Sequence, residues 1–260
     1  MNDWILVRGA GDIATGVIVR LVRCGYRVAA LETAHPTAIR RSVALSEAVY
    51  DGSASVEGIS ARLVSYLPER PDFVPLLIDP DGDLLQKTRP AALVDAILAK
   101  RNTGTRRDMA PFTVALGPGF TAGVDTDAVV ETMRGHTLGR VIYEGSAIPN
   151  TGIPGTVGGE SVKRVVHAPC TGTLRVLRDI GSVVTEGDLL AELDGTPILS
   201  PLTGLVRGML RDGFAVPQGM KMADVDPRPD ADWHHCSDKA LAVAGGVLEA
   251  LLHAGIRPSL

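Results

Sequence analysis

The chain has 260 residues with 30 acidic against 26 basic side chains, so its net charge of -4 carries no global electrostatic pull toward nucleic acid or an anionic membrane. Aromatic residues make up only 4%, too few for a single-strand stacking platform, and the three scattered cysteines, Cys24, Cys170 and Cys236, argue for a reducing compartment rather than a disulfide framework. The first residues lack a signal-peptide pattern and no run approaches the roughly 20 apolar residues of a membrane span, so the expectation is a soluble cytoplasmic protein with no nucleic-acid or membrane partner.

Residues 4–8 (WILVR) form an apolar run that stops at a glycine-rich turn, GAGDIATG, at residues 9–16. Ile13, Val17 and Leu21, with Ile18 and Val22 beside them, then recur at the spacing of one helical face until Gly25, and residues 27–31 are β-prone again. Glu32 closes this strand, turn, helix and strand about 20 residues beyond the turn, the distance the dinucleotide fingerprint expects. In that reading Gly9 permits the tight turn and Gly11 lets backbone N–H groups reach a pyrophosphate. Ala14 stands where the third glycine would be and still allows close helix packing, and Glu32 accepts from a ribose hydroxyl. A Rossmann-like core that keeps the turn without a bound cofactor has the same pattern. Arg40 and Arg41 leave the choice between NAD and NADP open.

Residues 74–80, 92–100 and 112–120 are apolar runs bounded by Gly, Pro or Asp and read as further buried parallel strands. The basic stretch that follows the second run contains Lys100, Arg101 and Asn102, and the third run leads into Gly117-Pro118-Gly119. Ligands bind outside the carboxyl ends of strands in an open α/β sheet, so residues 9–16, 100–105 and 117–123 are expected to converge on an anionic ligand. Solvated cations and turn-shaping glycines are the plainer account of the same residues. Asp125 begins a segment, 125–133, that reads as a helix with acids in its first turn. A last strand is expected at 141–143 and a linker at 152–159, which sets a domain at 1–150, a β module at 160–226 and a helical segment at 227–260.

The second half repeats itself without a gap. A shift of 32 positions superposes Pro169 on Pro201, Thr171 on Thr203, Gly172 on Gly204, Gly181 on Gly213, Val184 on Val216 and Gly187 on Gly219. Two such halves are expected to fold together into one β-sandwich with pseudo-twofold symmetry. This pattern resembles the biotinyl/lipoyl barrel-sandwich domain, whose modified lysine sits on the hairpin between the halves. The corresponding residues here, 193–197 (LDGTP), hold no lysine. Met220-Lys221-Met222 aligns with ordinary strand residues, so neither biotin nor lipoate is expected on Lys221.

Ser237 and Asp238 make a helix start, with Leu241, Ala244, Val247, Leu248, Leu251 and Leu252 as its expected apolar stripe. Gly245-Gly246 is costly inside a helix and predicts close approach of another backbone, inside the molecule or in a homo-oligomer. His234, His235 and Cys236 are adjacent, a poor arrangement for one ion, and no metal site is expected there.

Taken together, RGAGDIATG, IRRSVALSEAVYDG, LVDAILAKRNTGT, ALGPGFTAGVDTDAVVETMRGHTLGRVI, GSAIPNTGIPG, DVDPR and SDKALAVAGGVLEA resemble the YqeB-like accessory proteins of the selenium-dependent molybdenum hydroxylase system, over nearly the whole chain. The resemblance implies a role in maturing a molybdenum hydroxylase, with that client or cofactor-maturation proteins as partners. It carries Gly9, Gly11, Asp12, Lys100, Arg101, Asn102, Gly117, Gly119 and Asp125 into the set of candidate site residues, and it names no nucleophile. The sequence therefore leads to an α/β protein: a Rossmann-like, mostly parallel sheet, a small barrel-sandwich module and a C-terminal helix. Its expected ligand is NAD(P), another nucleotide or molybdopterin. An NAD(P)-dependent oxidoreductase is the alternative, and a carrier module is disfavoured by the missing hairpin lysine.

Overall fold

The structure, a computed structural model, describes residues 3–258. It divides into two compact units that interleave along the chain. Residues up to Pro36, residues Ala44–Asn150 and residues from Cys236 onward form the first, and Thr37–Val43 with Thr151–His235 form the second.

In the first unit, β1 (Trp4–Arg8) is buried throughout and runs through the glycine turn into α1 (Asp12–Arg23) and β2 (Arg27–Glu32), as the spacing predicts. A short helix α2 (Ala48–Asp51) and a hairpin of β3 (Ser53–Val56) and β4 (Ile59–Leu63) follow. Glu57 and Gly58 turn that hairpin with positive φ at both positions, the two-residue geometry that matches strand twist. Next come β5 (Val74–Ile78), α3 (Asp83–Thr88), β6 (Ala92–Asp95), β7 (Thr113–Leu116), β8 (Thr121–Ala122), β9 (Ala128–Val130), β10 (Val141–Ile142) and β11 (Gly145–Ser146).

Nine strands make one sheet in the order β10-β9-β7-β6-β1-β2-β5-β4-β3. The strands from β9 to β4 run parallel, with antiparallel β10 and β3 at the two edges. From β5 across to β9 the order is that of a doubly wound sheet: the chain steps from β1 outward through β2 to β5, then returns to β6 on the other side of β1. The carboxyl ends of β1 and β6 therefore flank the point where the winding reverses.

Two expectations need correction. The strand at 92–100 stops at Asp95, because the Asp95 carboxylate accepts the Ile97 N–H and turns the chain out of the sheet. Residues 125–133 are not a helix: Ala128–Val130 is a fully buried strand paired with β7. Its two acids hold backbone rather than open a helix, with Asp125 accepting from Thr121 N at 2.7 Å and Asp127 from Thr113 N at 2.8 Å.

The second unit contains β12 (Val165–His167), β13 (Gly172–Val176), β14 (Val183–Val184), β15 (Leu189–Leu193), β16 (Thr196–Leu199), β17 (Gly204–Met209), β18 (Ala215–Val216) and β19 (Lys221–Asp226). They form two four-stranded sheets, β12-β19-β17-β14 and β16-β15-β13-β18. Adding or subtracting 32 exchanges β12 with β16, β13 with β17, β14 with β18 and β15 with β19, which converts one sheet order into the other. The irregularity between Val166 and His167 recurs at Ile198–Leu199, so even a bulge repeats. The one departure is at Arg207, an extra residue between Val206 and Gly208 that has no counterpart where β13 pairs β15. Leu174, Leu190, Leu193, Val206, Met209 and Met222, drawn from both sheets, fill one core. Asp194 and Gly195, both at positive φ, turn the hairpin between β15 and β16, whereas Lys221 opens β19 opposite His167.

The chain then returns to the first unit as α4 (Asp238–His253), capped by the Ser237 side chain, which accepts from Ala240 N. Its buried face is Ala240, Val243, Ala244, Gly246, Val247, Ala250 and Leu251, so Leu251, Ala244 and Val247 of the expected stripe hold while Leu241 is 37% exposed. Small residues at 240, 244, 246 and 250 let the helix sit closer, and this rotates the contact face away from the leucines. A Cβ on Gly246 would lie 2.2 Å from the Gly139 carbonyl oxygen, the close backbone approach that the glycine pair predicts.

Candidate functional site

The site is built at the carboxyl edge of the parallel sheet in the first unit. Gly9 ends β1 at φ +96°, and a Cβ there would lie 2.9 Å from the Ala96 carbonyl oxygen, so the β1 turn and the segment after β6 touch through backbone. Gly119, at φ +107°, does the same on the far side of that segment, where its Cβ would fall 2.5 Å from Arg101 Cα. The three expected loops thus meet: the segment after β6 lies between the glycine turns that follow β1 and β7. Within it Leu98 (φ +59°) and Lys100 (φ +62°) both occupy the left-handed region, which costs a non-glycine residue roughly 1–2 kcal/mol. Such strain clusters at ligand clamps and is held by its surroundings.

Those surroundings are visible. The Asn102 amide accepts from Gly104 N and Thr105 N and donates to Thr105 O, closing the loop on itself. The Thr105 hydroxyl donates to Asp95 Oδ2 at 2.5 Å and accepts from Arg8 Nη1 at 2.6 Å, while Arg8 Nη2 reaches the Pro80 carbonyl at 2.7 Å. All three residues are buried, and burial pushes the Asp95 carboxyl above the ordinary carboxylate range despite these bonds. Asn102 therefore positions the loop rather than a ligand. Arg8, Asp95 and Thr105 were not apparent as a group from sequence, because β1, β6 and the loop bring them together only in the fold.

At the start of α1, Gly11 is the N-cap in extended conformation with no side-chain cap, and a Cβ added to it would meet nothing within 4 Å, so the space before the helix is open. Asp12 accepts from Ile13 N at 2.9 Å. Ala14 is buried on the helix face. Glu32 ends β2 beside the turn, where Oε2 accepts from Ala10 N and Oε1 from Thr33 N, each at 2.8 Å. Burial raises its pKa above the ordinary value, partly offset by those N–H donors. Gly117, at φ +77°, faces Thr132, and Asp125 clamps its own turn at Thr121, so neither is joined by a side-chain contact to the glycine turn of β1.

Sequence reasoning missed the residue that completes the site. Helix α4 lies alongside α1 and parallel to it: a Cβ on Gly16 would sit 2.7 Å from Ala240 Cβ near the starts of both helices, and Tyr26 Oη donates to Ile256 O near their ends. Both amino ends therefore face the carboxyl edge of the sheet, each with the partial positive charge of its free N–H groups. Lys239, the second residue of α4, stands there within electrostatic reach of Asp12, Lys100, Glu131 and Arg134. Burial holds its ammonium below the ordinary lysine range; Arg134 pushes the same way, Asp12 and Glu131 oppose, and Lys100 adds to the depression. Arg134 is committed to a two-pronged pair with Asp238 at 2.6 and 2.9 Å. Glu131 is 2% exposed and spends its oxygens on Met133 N and Ile148 N. Among the described residues, Lys100, Arg101 and Lys239 make no ion pair.

A mixed α/β protein with a large, mostly parallel sheet, smaller antiparallel sheets and a C-terminal helix is thus defined. The chain is similar to the uncharacterized protein YqeB of Escherichia coli (strain K12), at 51% identity over 266 residues, 98% of this chain and 49% of that protein. The chain spans about half the length of this relative. No protein-family model matches the chain, and no solved structure matches it. No helix among the described residues is long and apolar enough to cross a membrane.

Proposed function

We propose that the first unit binds a phosphate-bearing anion of the nucleotide or molybdopterin class at the carboxyl edge of its sheet, and that the chain acts as an accessory factor in maturing a selenium-dependent molybdenum hydroxylase. The observation that carries the binding reading is that Lys100 and Lys239, neither of them ion-paired among the described residues, lie within electrostatic reach of each other at the uncapped amino end of α1. Unpaired cations gathered around free N–H donors fit phosphate oxygens better than any neutral ligand. The maturation role rests on the sequence resemblance alone. In this reading the second unit, a barrel-sandwich module, serves as a docking or ligand-cradling surface for the client hydroxylase. Lys221 in β19 takes no lipoate or biotin, since acylation needs a lysine at a turn tip.

An NAD(P)-dependent oxidoreductase is the second reading, favoured by the position of Glu32 at the end of β2, where a ribose hydroxyl would be recognised. Both Glu32 oxygens already hold backbone N–H groups of the turn, which makes the carboxylate first of all a brace for the loop. Native mass spectrometry of the freshly purified chain, titrated with NAD, CTP and molybdopterin, separates the readings. A retained or tightly bound CTP or molybdopterin, lost in Lys100→Ala, supports the first, and binding of NAD alone, abolished by Glu32→Ala, replaces it with the second.

A further inference from the structure

We infer that the outer face of the sheet β16-β15-β13-β18 is a self-association surface, on which a second copy of this chain docks through a row of three leucines. This surface is independent of the anion site and goes beyond it. Thr173, Arg175 and Leu177 are exposed and alternate with buried Leu174 and half-buried Val176, so they share the outward face of β13 and its extension. The Leu177 N–H donates to the Leu190 carbonyl, which brings Leu177 alongside the start of β15, where Leu189 lies directly opposite Leu199 of β16. Leu177, Leu189 and Leu199 thus form one row across three adjoining strand paths, and they are 39%, 36% and 52% exposed.

The internal repeat supplies a control for this row. A shift of 32 maps Leu189 on Lys221 and Leu199 on His167, and those two residues also pair across strands and are also exposed. The fold therefore accepts a lysine and a histidine at this pair of positions and gives no structural reason for two leucines. Leu177 maps on Met209, which the extra residue at Arg207 turns into the core. The outer face of that other sheet is moreover closed by the unit's own chain: Ile39 packs on Gly208, its carbonyl accepts from Met209 N at 2.8 Å, and Arg41 Nε donates to the Met209 carbonyl at 2.8 Å. One outer face is covered by residues 39–41, and its counterpart keeps its leucine row in solvent.

The charge beside the row fits a second copy. Arg175 and Glu192 stand opposite each other in the next row of the same face and pair at 3.1 Å, so that row carries no net charge. A twofold contact sets a patch against itself, which a patch of one sign opposes and a neutral one allows. A strongly charged partner finds no complementary charge there. Three leucines cover far less than the roughly 800 Å² per partner of a stable interface, so the association is weak and depends on concentration.

The test is sedimentation equilibrium of the full chain at concentrations up to about 1 mM, the range of weak interfaces, at low and at high salt. Wild type is compared with the double variant Leu189→Lys/Leu199→His, which carries the residues that the fold already holds at the equivalent positions, and with Leu177→Gln; circular dichroism melts confirm that each is folded. The expected result is a wild-type dimer with a dissociation constant on the order of 100 µM that salt does not weaken, and association at least about tenfold weaker in both variants. A wild type that stays monomeric over the whole range, variants that associate as strongly as wild type, or association that high salt abolishes each overturns the leucine contact, and none of these outcomes bears on the anion site.

Discussion

Gly16 on α1 and Ala240 on α4 are in direct contact, so close that a Cβ built on Gly16 would lie 2.7 Å from that of Ala240. This pairing sets the position of Lys239, one residue before Ala240. Gly16→Val is expected to force the helix starts apart, destabilising the fold by about 1–3 kcal/mol in urea unfolding and weakening phosphate binding together with stability. A variant of unchanged stability would show that the helices do not depend on this contact.

Burial disfavours the charged form of Lys239 in the fold. Replacing it with methionine keeps the length of the chain and removes a desolvated charge that has no ion-pair partner among the described residues. Lys239→Met is expected to raise stability on the order of 1 kcal/mol while losing the anion. Thermal melts without and with phosphate check both halves, and a destabilised variant would mean that the ammonium is structurally satisfied.

The loop after β6 hangs on one hydroxyl. Thr105→Val leaves Arg8 and Asp95 buried without their shared partner, at a cost of about 1–3 kcal/mol. Hydrogen exchange in residues 96–105 is expected to rise more than in α1. Uniform protection across both would contradict the loop-specific role.

Acid–base behaviour follows from the buried carboxyls. Glu32 and Asp95 both have folded-state pKa values raised by burial, so the native state holds their protons more tightly than the unfolded chain. Their contribution to stability is greatest below the ordinary carboxylate range and declines as pH rises through the raised values. Wild type should therefore lose stability relative to Glu32→Gln and Asp95→Asn as pH is raised across that window, measured by denaturant unfolding at each pH. The opposite slope would indicate carboxylates stabilised in their charged form.

Much of this fold is written locally. The apolar run, glycine turn and 3.6-residue spacing of residues 4–31 specify β1, α1 and β2 because each signal concerns neighbours in sequence. The 32-residue repeat pairs all eight strands of the second unit, since a duplicated half must place its turns at equivalent positions. The hairpin at Glu57–Gly58 also carried a local signal, a turn glycine between two short alternating runs, that went unread. Residues 125–130 misled because acids ahead of an apolar triad look alike before a helix and before a buried strand. Lys239 could not be found this way: nothing near it in sequence reports that α4 runs parallel to α1 and brings its start to the glycine turn. The Arg8–Thr105–Asp95 group is hidden for the same reason, its members meeting across strands that are adjacent only in the sheet.

The most direct test of the anion site is an NMR titration of the ¹⁵N-labelled full chain with 5′-CMP, following backbone amides. The account predicts the largest shifts at Gly9, Gly11, Asp12, Lys100, Arg101 and Lys239, with the second unit unchanged. Shifts confined to the second unit, or none at all at saturating nucleotide, would contradict it.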